Sequence, residues 1–497
     1  MLCLASWLAL RRLVGARLID GARPGAMLLE LMPIAIGFAL FLLATARPVL
    51  SGVGMAGLAF GLGLTDVMKR RILAEPVVFA DRAELLDVVR HPRFYIAFIG
   101  TIPMVIGTVS LLGLIGLELW VEPPLWHIVP SLSARLVVAA IALGRFAFVL
   151  PAQPWAVGRL ARLYAHMAPS RDPATDARRF GLLASLVIQA TLARAERPAR
   201  RAAACAVALP PMPARQGPII LWQAESFADP TRLAADYRDR LPTIAAMQRE
   251  ATAWGPLSVP AWGANTIRTE LAAIAGLGPE ALGLDRFNPY DAFVRVPLPS
   301  LAAQARAAGY RTICVHPYSR SFYARDTVIP LLGFDRFIGI EAFAAAETDT
   351  GYVTDMALAR FVADLVRAEG PDLFVFAISI ENHGPWDAKH DGLPAAPLPA
   401  AWRGLPDSAA IGRWLRHIEA ADRAMAILRE SLIAQGRGWI GFYGDHQPSL
   451  QGPFAPGDRR TDYFMWRPGG RGAVGPTEMR AETLPRRWLE LMGSGLE

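Results

Sequence analysis

The stretch WIGFYGDHQP, residues 439–448, runs from apolar and small residues straight into a carboxylate and an imidazole, Asp445 and His446. A short apolar run ended by a Gly-Asp signal reads as a buried strand. Taken alone, the polar pair reads equally well as two solvated loop residues. Three other runs repeat the pattern: PIILWQA (218–224) leads into Glu225-Ser226, RTICVHP (311–317) carries His316, and LFVFAISI (373–380) leads into Glu381-Asn382-His383. Between them lie helical patterns such as TDMALARFVADLVRAEG and RWLRHIEAADRAMAILRESL. Strands alternating with helices predict an α/β domain with a mainly parallel sheet, whose C-terminal edge is where ligands bind. Four strands then deliver carboxylates and imidazoles to one rim.

The first 200 residues differ in character. With 53% hydrophobic residues in 497, the chain is too apolar to be wholly soluble. Crossing a bilayer takes about 20 mostly apolar residues. Stretches at about 27–46, 49–67, 94–117 and 133–151 meet that length, and a shorter one at 180–195 either crosses or lies at the interface. Up to residue 217 there are 23 basic and 12 acidic residues, so the net charge of +7 belongs to this half. That balance suits cytoplasmic loops and anionic headgroups and argues against a nucleic-acid partner. Arg11, Arg12, Arg17 and Arg23 before the first crossing, and Lys69, Arg70 and Arg71 after the second, place the N-terminus inside. The chain beyond residue 195 lies outside only if 180–195 crosses. The expected organisation is a transmembrane domain of about five helices (1–197), a linker (198–217) and a catalytic domain (218–497).

The rim chemistry is borderline-hard: carboxylates and imidazoles without thiolates suit manganese, magnesium or zinc. Cys3, Cys205 and Cys314 are scattered and have no metal or disulfide spacing. In WGANTIRTELAAIAGL (262–277), Thr266 follows a Gly/Asn turn and opens a helical pattern. A hydroxyl at a helix N-terminus can receive a phosphate there. Taken alone, the stretch reads rather as Thr266 or Asn265 capping the helix, with Thr269 and Glu270 as ordinary first-turn residues. The segment HPYSRSFYARD (316–326) adds Arg320, Tyr323 and Arg325, residue types that hold phosphate and pack on a polyol.

With these motifs the chain resembles the lipoteichoic acid synthase family, phosphoglycerol transferases of the alkaline phosphatase and sulfatase superfamily. The family's metal-binding glutamate matches Glu225 in QAESF, its threonine nucleophile in T-x-x-x-E matches Thr266, and its closing D-H pair matches Asp445 and His446. The H-x-x-x-x-x-F-W-x-R-D stretch matches at His316 and Arg325, with Tyr323 in place of the tryptophan and Tyr318 in place of an acid. His383 in ENHGPW matches the N-H-x-P histidine, and MKRRILAEPVVFADRAEL (68–85) resembles the family's Lys-Pro-Asp loop.

The resemblance implies an N-terminal helical membrane domain followed by a sulfatase-like α/β domain. It implies one divalent metal, manganese first, held by Glu225, Thr266, Asp445 and His446, with Thr266 catalytic. His316, Tyr323, Arg325 and His383 would bind substrate. The implied reaction moves glycerol phosphate from phosphatidylglycerol, through a phospho-threonine enzyme, to a glycan or polyol. Its place is the cytoplasmic membrane, with several crossings and the catalytic domain on the periplasmic or extracellular side. A phosphoethanolamine transferase, a phosphatase or phosphodiesterase, and a non-catalytic assembly protein are the alternatives. TIRTE lacks the Cys or Ser of a sulfatase's C/S-x-P-x-R pattern.

Overall fold

The four strands read from the sequence stand side by side in one sheet. The computed structural model describes all residues except 17–23, 86–100, 126–130, 132–133, 138, 142–153, 214–215, 350, 388–393, 455–457, 471, 474 and 495–497. It divides into two units, Met1–Pro198 and Ala199–Glu497.

In the second unit the strands are β1 (Ile219–Ala224), β2 (Ala253–Ser258), β3 (Arg311–Val315), β4 (Arg336–Ile338), β5 (Thr348–Asp349), β6 (Tyr352–Val353), β7 (Leu373–Ile378), β8 (Trp439–Gly444), β9 (Arg460–Trp466) and β10 (Met479–Arg480). Eight of them form a sheet in the order β10-β2-β9-β8-β1-β7-β3-β4, while β5 and β6 pair separately. The run β8-β1-β7-β3-β4 is parallel, and β9 is antiparallel to β8 and β2. All six residues of β1, β7 and β8 are buried, as strands covered on both faces must be.

Alternation sorts their side chains into two cores. Ile219 and Leu221 join Leu271, Phe376 and Trp488 on one face. Ile220 and Trp222 join Val362, Trp414 and Phe442 on the other. Each such side chain stabilises the fold by about 1.5–3 kcal/mol through burial. The covering helices start and stop where local chemistry dictates. The Thr354 hydroxyl caps Asp355–Glu369, and Gly436, at φ 68°, ends Ser408–Gln435 in the left-handed conformation that lacks a Cβ penalty.

The first unit is helical: Leu2–Val14, Pro24–Thr45, Pro48–Leu73, Thr101–Val121, Pro154–Ala165 and Pro173–Phe180, with Leu182–Cys205 running across the unit boundary. Among the described residues two helices, Gly25–Thr45 and Pro48–Leu73, are long and apolar enough to cross a membrane, and Val105–Val121 is a shorter apolar one. They leave Leu28, Leu40, Leu58, Phe60 and Leu64 exposed, as lipid-facing helices do. Inside this unit Glu30 is wholly buried and satisfied by Trp7 Nε1 (3.2 Å), the Ala184 amide (2.9 Å) and Arg11 (3.6 Å). Lys69 Nζ donates to both carboxylate oxygens of Asp81 (2.6 and 2.7 Å), closing the Lys-Pro-Asp loop. Most of the expected fourth crossing, and residues 94–100 of the third, lie outside the described residues. Phe180 ends the helix Pro173–Phe180 and the rest of the 180–195 segment from Leu182 begins Leu182–Cys205, which carries on through Pro198, so the stretch expected as a linker begins helical.

Candidate functional site

Adjacent parallel strands end at one edge, so Glu225 after β1 and Asp445-His446 after β8 are neighbours by register: Ala224 pairs with Gly444. A Cβ at Gly444 would stand 2.0 Å from the Phe227 carbonyl oxygen, so only glycine lets the loop after β1 cross here. Ser226 adopts φ 50°, unfavourable for a side-chain-bearing residue, and is held there by bonds on both sides. Its amide donates to Asp445 Oδ1 (2.8 Å), and its carbonyl accepts from Trp414 Nε1 (2.8 Å) and Asn382 Nδ2 (3.5 Å).

The result is a tight buried trio. Donor atoms of Glu225, Asp445 and His446 lie within 4.8 Å of one another. His446 Nε2 is 3.5 Å from Glu225 Oε1 and 3.4 Å from Asp445 Oδ2. Nδ1 of His446 faces the Gln447 carbonyl at 3.0 Å, which places the proton on Nδ1 and leaves the Nε2 lone pair toward the carboxylates. Burial pushes the Glu225 carboxyl well above the usual range, and the Asp445 charge adds to it. Burial also raises Asp445, against the pull of His446, the Thr266 hydroxyl and the Ser226 amide. Asp445 Oδ2 is buried and has no hydrogen-bond partner among the described residues.

An orphaned carboxylate oxygen, a second buried carboxyl and an imidazole lone pair on one point fit a divalent cation. Restoring Mn²⁺ to chelated protein is therefore expected to raise its melting temperature, by about 2.7 kcal/mol of stability at a hundred times the dissociation constant. Asp445→Asn should abolish the rise. An unchanged melting curve with manganese, magnesium and zinc alike would remove the metal from this site.

Thr266 opens the helix Thr266–Ala275 behind Asn265, whose φ of 68° turns the chain sharply into the helix. The Asn265 side chain makes no cap hydrogen bond, so the capping alternative is not what this helix uses. Two tethers aim its N-terminus at the trio. Gly263 N donates to Gln447 O (3.0 Å), and Thr269 Oγ1 donates to Asp445 O (2.6 Å). The Thr266 hydroxyl thereby sits beside the Asp445 carboxyl, at the positive end of a buried helix.

The expected substrate-binding residues divide in two. His316 and Arg325 are 3% and 2% exposed and bonded to each other, Arg325 Nη1 to His316 Nε2 at 3.3 Å. His316 Nδ1 lies 3.0 Å from Ile378 O, and burial together with the guanidinium holds its pKa well below normal, so the ring is neutral. Tyr323 and His383 are half-buried. They end an aromatic chain, Tyr323–Phe322–Tyr318–Tyr352–His383, with successive ring centroids 4.2 to 6.4 Å apart. Tyr318, which replaces an acid of the resembled motif, is its middle link.

Sequence reasoning missed what holds these residues. Glu270 is wholly buried and receives both Arg325 Nε (3.2 Å) and Nη2 (2.8 Å), Tyr290 Oη (2.8 Å) and Gln223 Nε2 (3.3 Å). Glu381 turns away from the trio. It accepts from the Asp355 amide (2.6 Å) and lies 3.3 Å from His417 Nδ1, and Glu381, His417 and Asp349 form a second His/acid cluster. Arg416 already pairs with Asp349 there. The four-residue spacing from Thr266 to Glu270, one helical turn on one face, was the available signal.

The sulfatase family profile matches residues 219–494. The chain is 30% identical over 455 residues to the capsular polysaccharide biosynthesis protein RkpI of Rhizobium meliloti (strain 1021), covering 88% of this chain and 81% of that one. A putative cyclic beta-1,2-glucan modification protein of the same organism is 28% identical over 239 residues, 47% of this chain and 36% of that one. Among solved structures, the integral membrane protein lipooligosaccharide phosphoethanolamine transferase A (EptA) from Neisseria meningitidis is similar in fold over 99% of this chain and 94% of its own, with a TM-score of 0.54 at 12% identity.

Proposed function

The chain belongs to the sulfatase family, and we propose that it is a membrane-anchored transferase moving glycerol phosphate from phosphatidylglycerol to an envelope glycan. The observation that carries this reading is the convergence of Glu225, Asp445, His446 and Thr266 on one buried point beneath a helix N-terminus. The glycan acceptor is supported by the relatives named for capsular polysaccharide biosynthesis and glucan modification. The lipid donor is supported by the two apolar helices of bilayer length.

In this mechanism Thr266 Oγ attacks the phosphorus, the bond to the diacylglycerol oxygen breaks, and diacylglycerol leaves with the proton. The free N–H groups at the start of Thr266–Ala275 face the phosphoryl oxygens. Half-buried His383 and Tyr323 contact the glycerol, while neutral His316 and Arg325 fix the wall behind them. An acceptor hydroxyl then attacks the phosphorus, releasing Thr266 with its proton and leaving phosphoglycerol on the glycan. A divalent metal held by Glu225, Asp445, His446 and Thr266, manganese first, would neutralise phosphoryl charge and lower the pKa of the attacking hydroxyl.

The proposal places the catalytic unit outside the cytoplasmic membrane. Labelled phosphatidylglycerol and a membrane-impermeant glycan test reaction and side together. Transfer by detergent-solubilised protein and by intact spheroplasts is expected. Transfer in detergent alone would reverse the side. Labelled glycerol phosphate released to water despite the glycan would make the protein a hydrolase, and label moving only from phosphatidylethanolamine would change the donor.

A further inference from the structure

Four residues beyond Glu225 the chain enters the wall of a separate cavity of about 470 Å³. That volume lies within the range of about 300–1,000 Å³ found for small-molecule sites. Its floor is the antiparallel pair β2 and β9, where Pro256 of β2 stands opposite Asp462 of β9 and Trp254 opposite Phe464. Its sides are the helix Pro242–Glu250 and the loop from Asp229. Residues of β2 alternate between buried and half-buried, so Trp254 and Pro256 share the face turned to the cavity while Ala253 and Leu257 enter the core behind.

The polar groups of the lining are already organised among apolar ones. Asp462 accepts from the Asp229 amide (2.7 Å), and Asp229 accepts from Thr231 Oγ1 (2.7 Å) and Gln248 Nε2 (3.1 Å). Arg232 is committed to this floor. It donates to Arg460 O (2.8 Å) and pairs with Asp462 (3.5 Å). Arg238 and Arg249 on the rim are both exposed and form no side-chain hydrogen bond or ion pair among the described residues, although the Arg249 charge helps lower the pKa of the neighbouring Glu250. Glu250, beside Arg249, is taken up by Arg429 (2.8 and 3.0 Å) and Trp466 (2.8 Å).

A partly buried indole lining the cavity, hydrogen-bonding groups on the floor and two exposed guanidinium groups on the rim are complementary to a sugar ring that carries an anion. We infer that this cavity is a subsite for sugar residues bearing a carboxylate or phosphate, seating the glycan acceptor while a neighbouring hydroxyl reaches Thr266. The distance allows it, since the four residues from Glu225 to Asp229 span at most ~14 Å even when extended, the reach of a short oligosaccharide. The inference rests on the acceptor being a glycan, as proposed above.

Titration calorimetry on the full-length protein in detergent, without donor lipid, tests it separately from transfer. The probes are tetragalacturonate, maltose 1-phosphate and neutral maltotetraose. Wild-type protein is expected to bind both anionic probes at least tenfold more tightly than maltotetraose, and the exposed-site double variant R238Q/R249Q to lose that difference. Trp254→Leu should weaken all three. If only one anionic probe binds in this way, that probe identifies which anion the subsite takes. Equal binding of neutral and anionic probes, or tight anionic binding retained by R238Q/R249Q, overturns the assignment. Failed transfer with intact, arginine-dependent binding would instead count against the proposed reaction.

Discussion

Thr266→Ala is expected to abolish both transfer and the covalent intermediate, while leaving the fold in place. Wild-type protein incubated with phosphatidylglycerol should gain the mass of one phosphoglycerol group, and the alanine variant none. Removing a nucleophile commonly lowers turnover by roughly 10³-fold or more. Thr266→Ser keeps the hydroxyl at the same helix position and should keep the adduct at reduced rate. Stability should change little, because Asn265 makes no cap bond that depends on Thr266, and the helix is tied down by Thr269 Oγ1 on Asp445 O. An adduct of unchanged size in Thr266→Ala would take the nucleophile's role from this residue and leave the trio without its partner.

The rim was legible because each of its strands is both buried and parallel. Such strands read as short apolar runs, and the first polar residues after them must fall at one edge, so Glu225, His316, His383, Asp445 and His446 group together on sequence pattern alone. Outer strands carry a weaker signal. AWGPLS of β2 contains a Gly-Pro pair that reads as a turn, yet Gly255 is there because a Cβ would meet Thr477 O at 2.5 Å. Residues whose meaning lies in a distant partner showed at most a spacing, such as the four residues from Thr266 to Glu270. Glu270 looks like any first-turn acid, and its guanidinium partner is 55 positions away in sequence. Likewise nothing local marks Arg238 and Arg249 as lining one cavity. In the membrane half, apolar length alone located the helices Pro24–Thr45 and Pro48–Leu73.

Glu270→Gln is expected both to destabilise the fold strongly and to lower transfer. The side chain has four donors aimed at its two oxygens, and a glutamine amide would turn an N–H₂ toward one of them. Arg325, 2% exposed, would keep its charge and lose its counter-ion. Breaking one side of a buried ion pair costs about 3–5 kcal/mol, which in a unit of this size lowers the melting temperature on the order of 10 °C. Activity should fall further than stability explains, measured at a temperature where the variant is still folded. Glu270 shares a helix face with Thr266 and orients Arg325, which in turn holds His316 through Nη1. Rotating either would displace the wall behind the substrate. Glu270→Gln combined with Arg325→Met separates the two effects. Removing both charges should recover most of the lost stability, whereas transfer should stay low because the His316 ring has lost the group that fixes it. Wild-type melting in Glu270→Gln would mean that the ion pair is not formed in solution. Wild-type transfer by the double variant would reduce Glu270 and Arg325 to a structural pair.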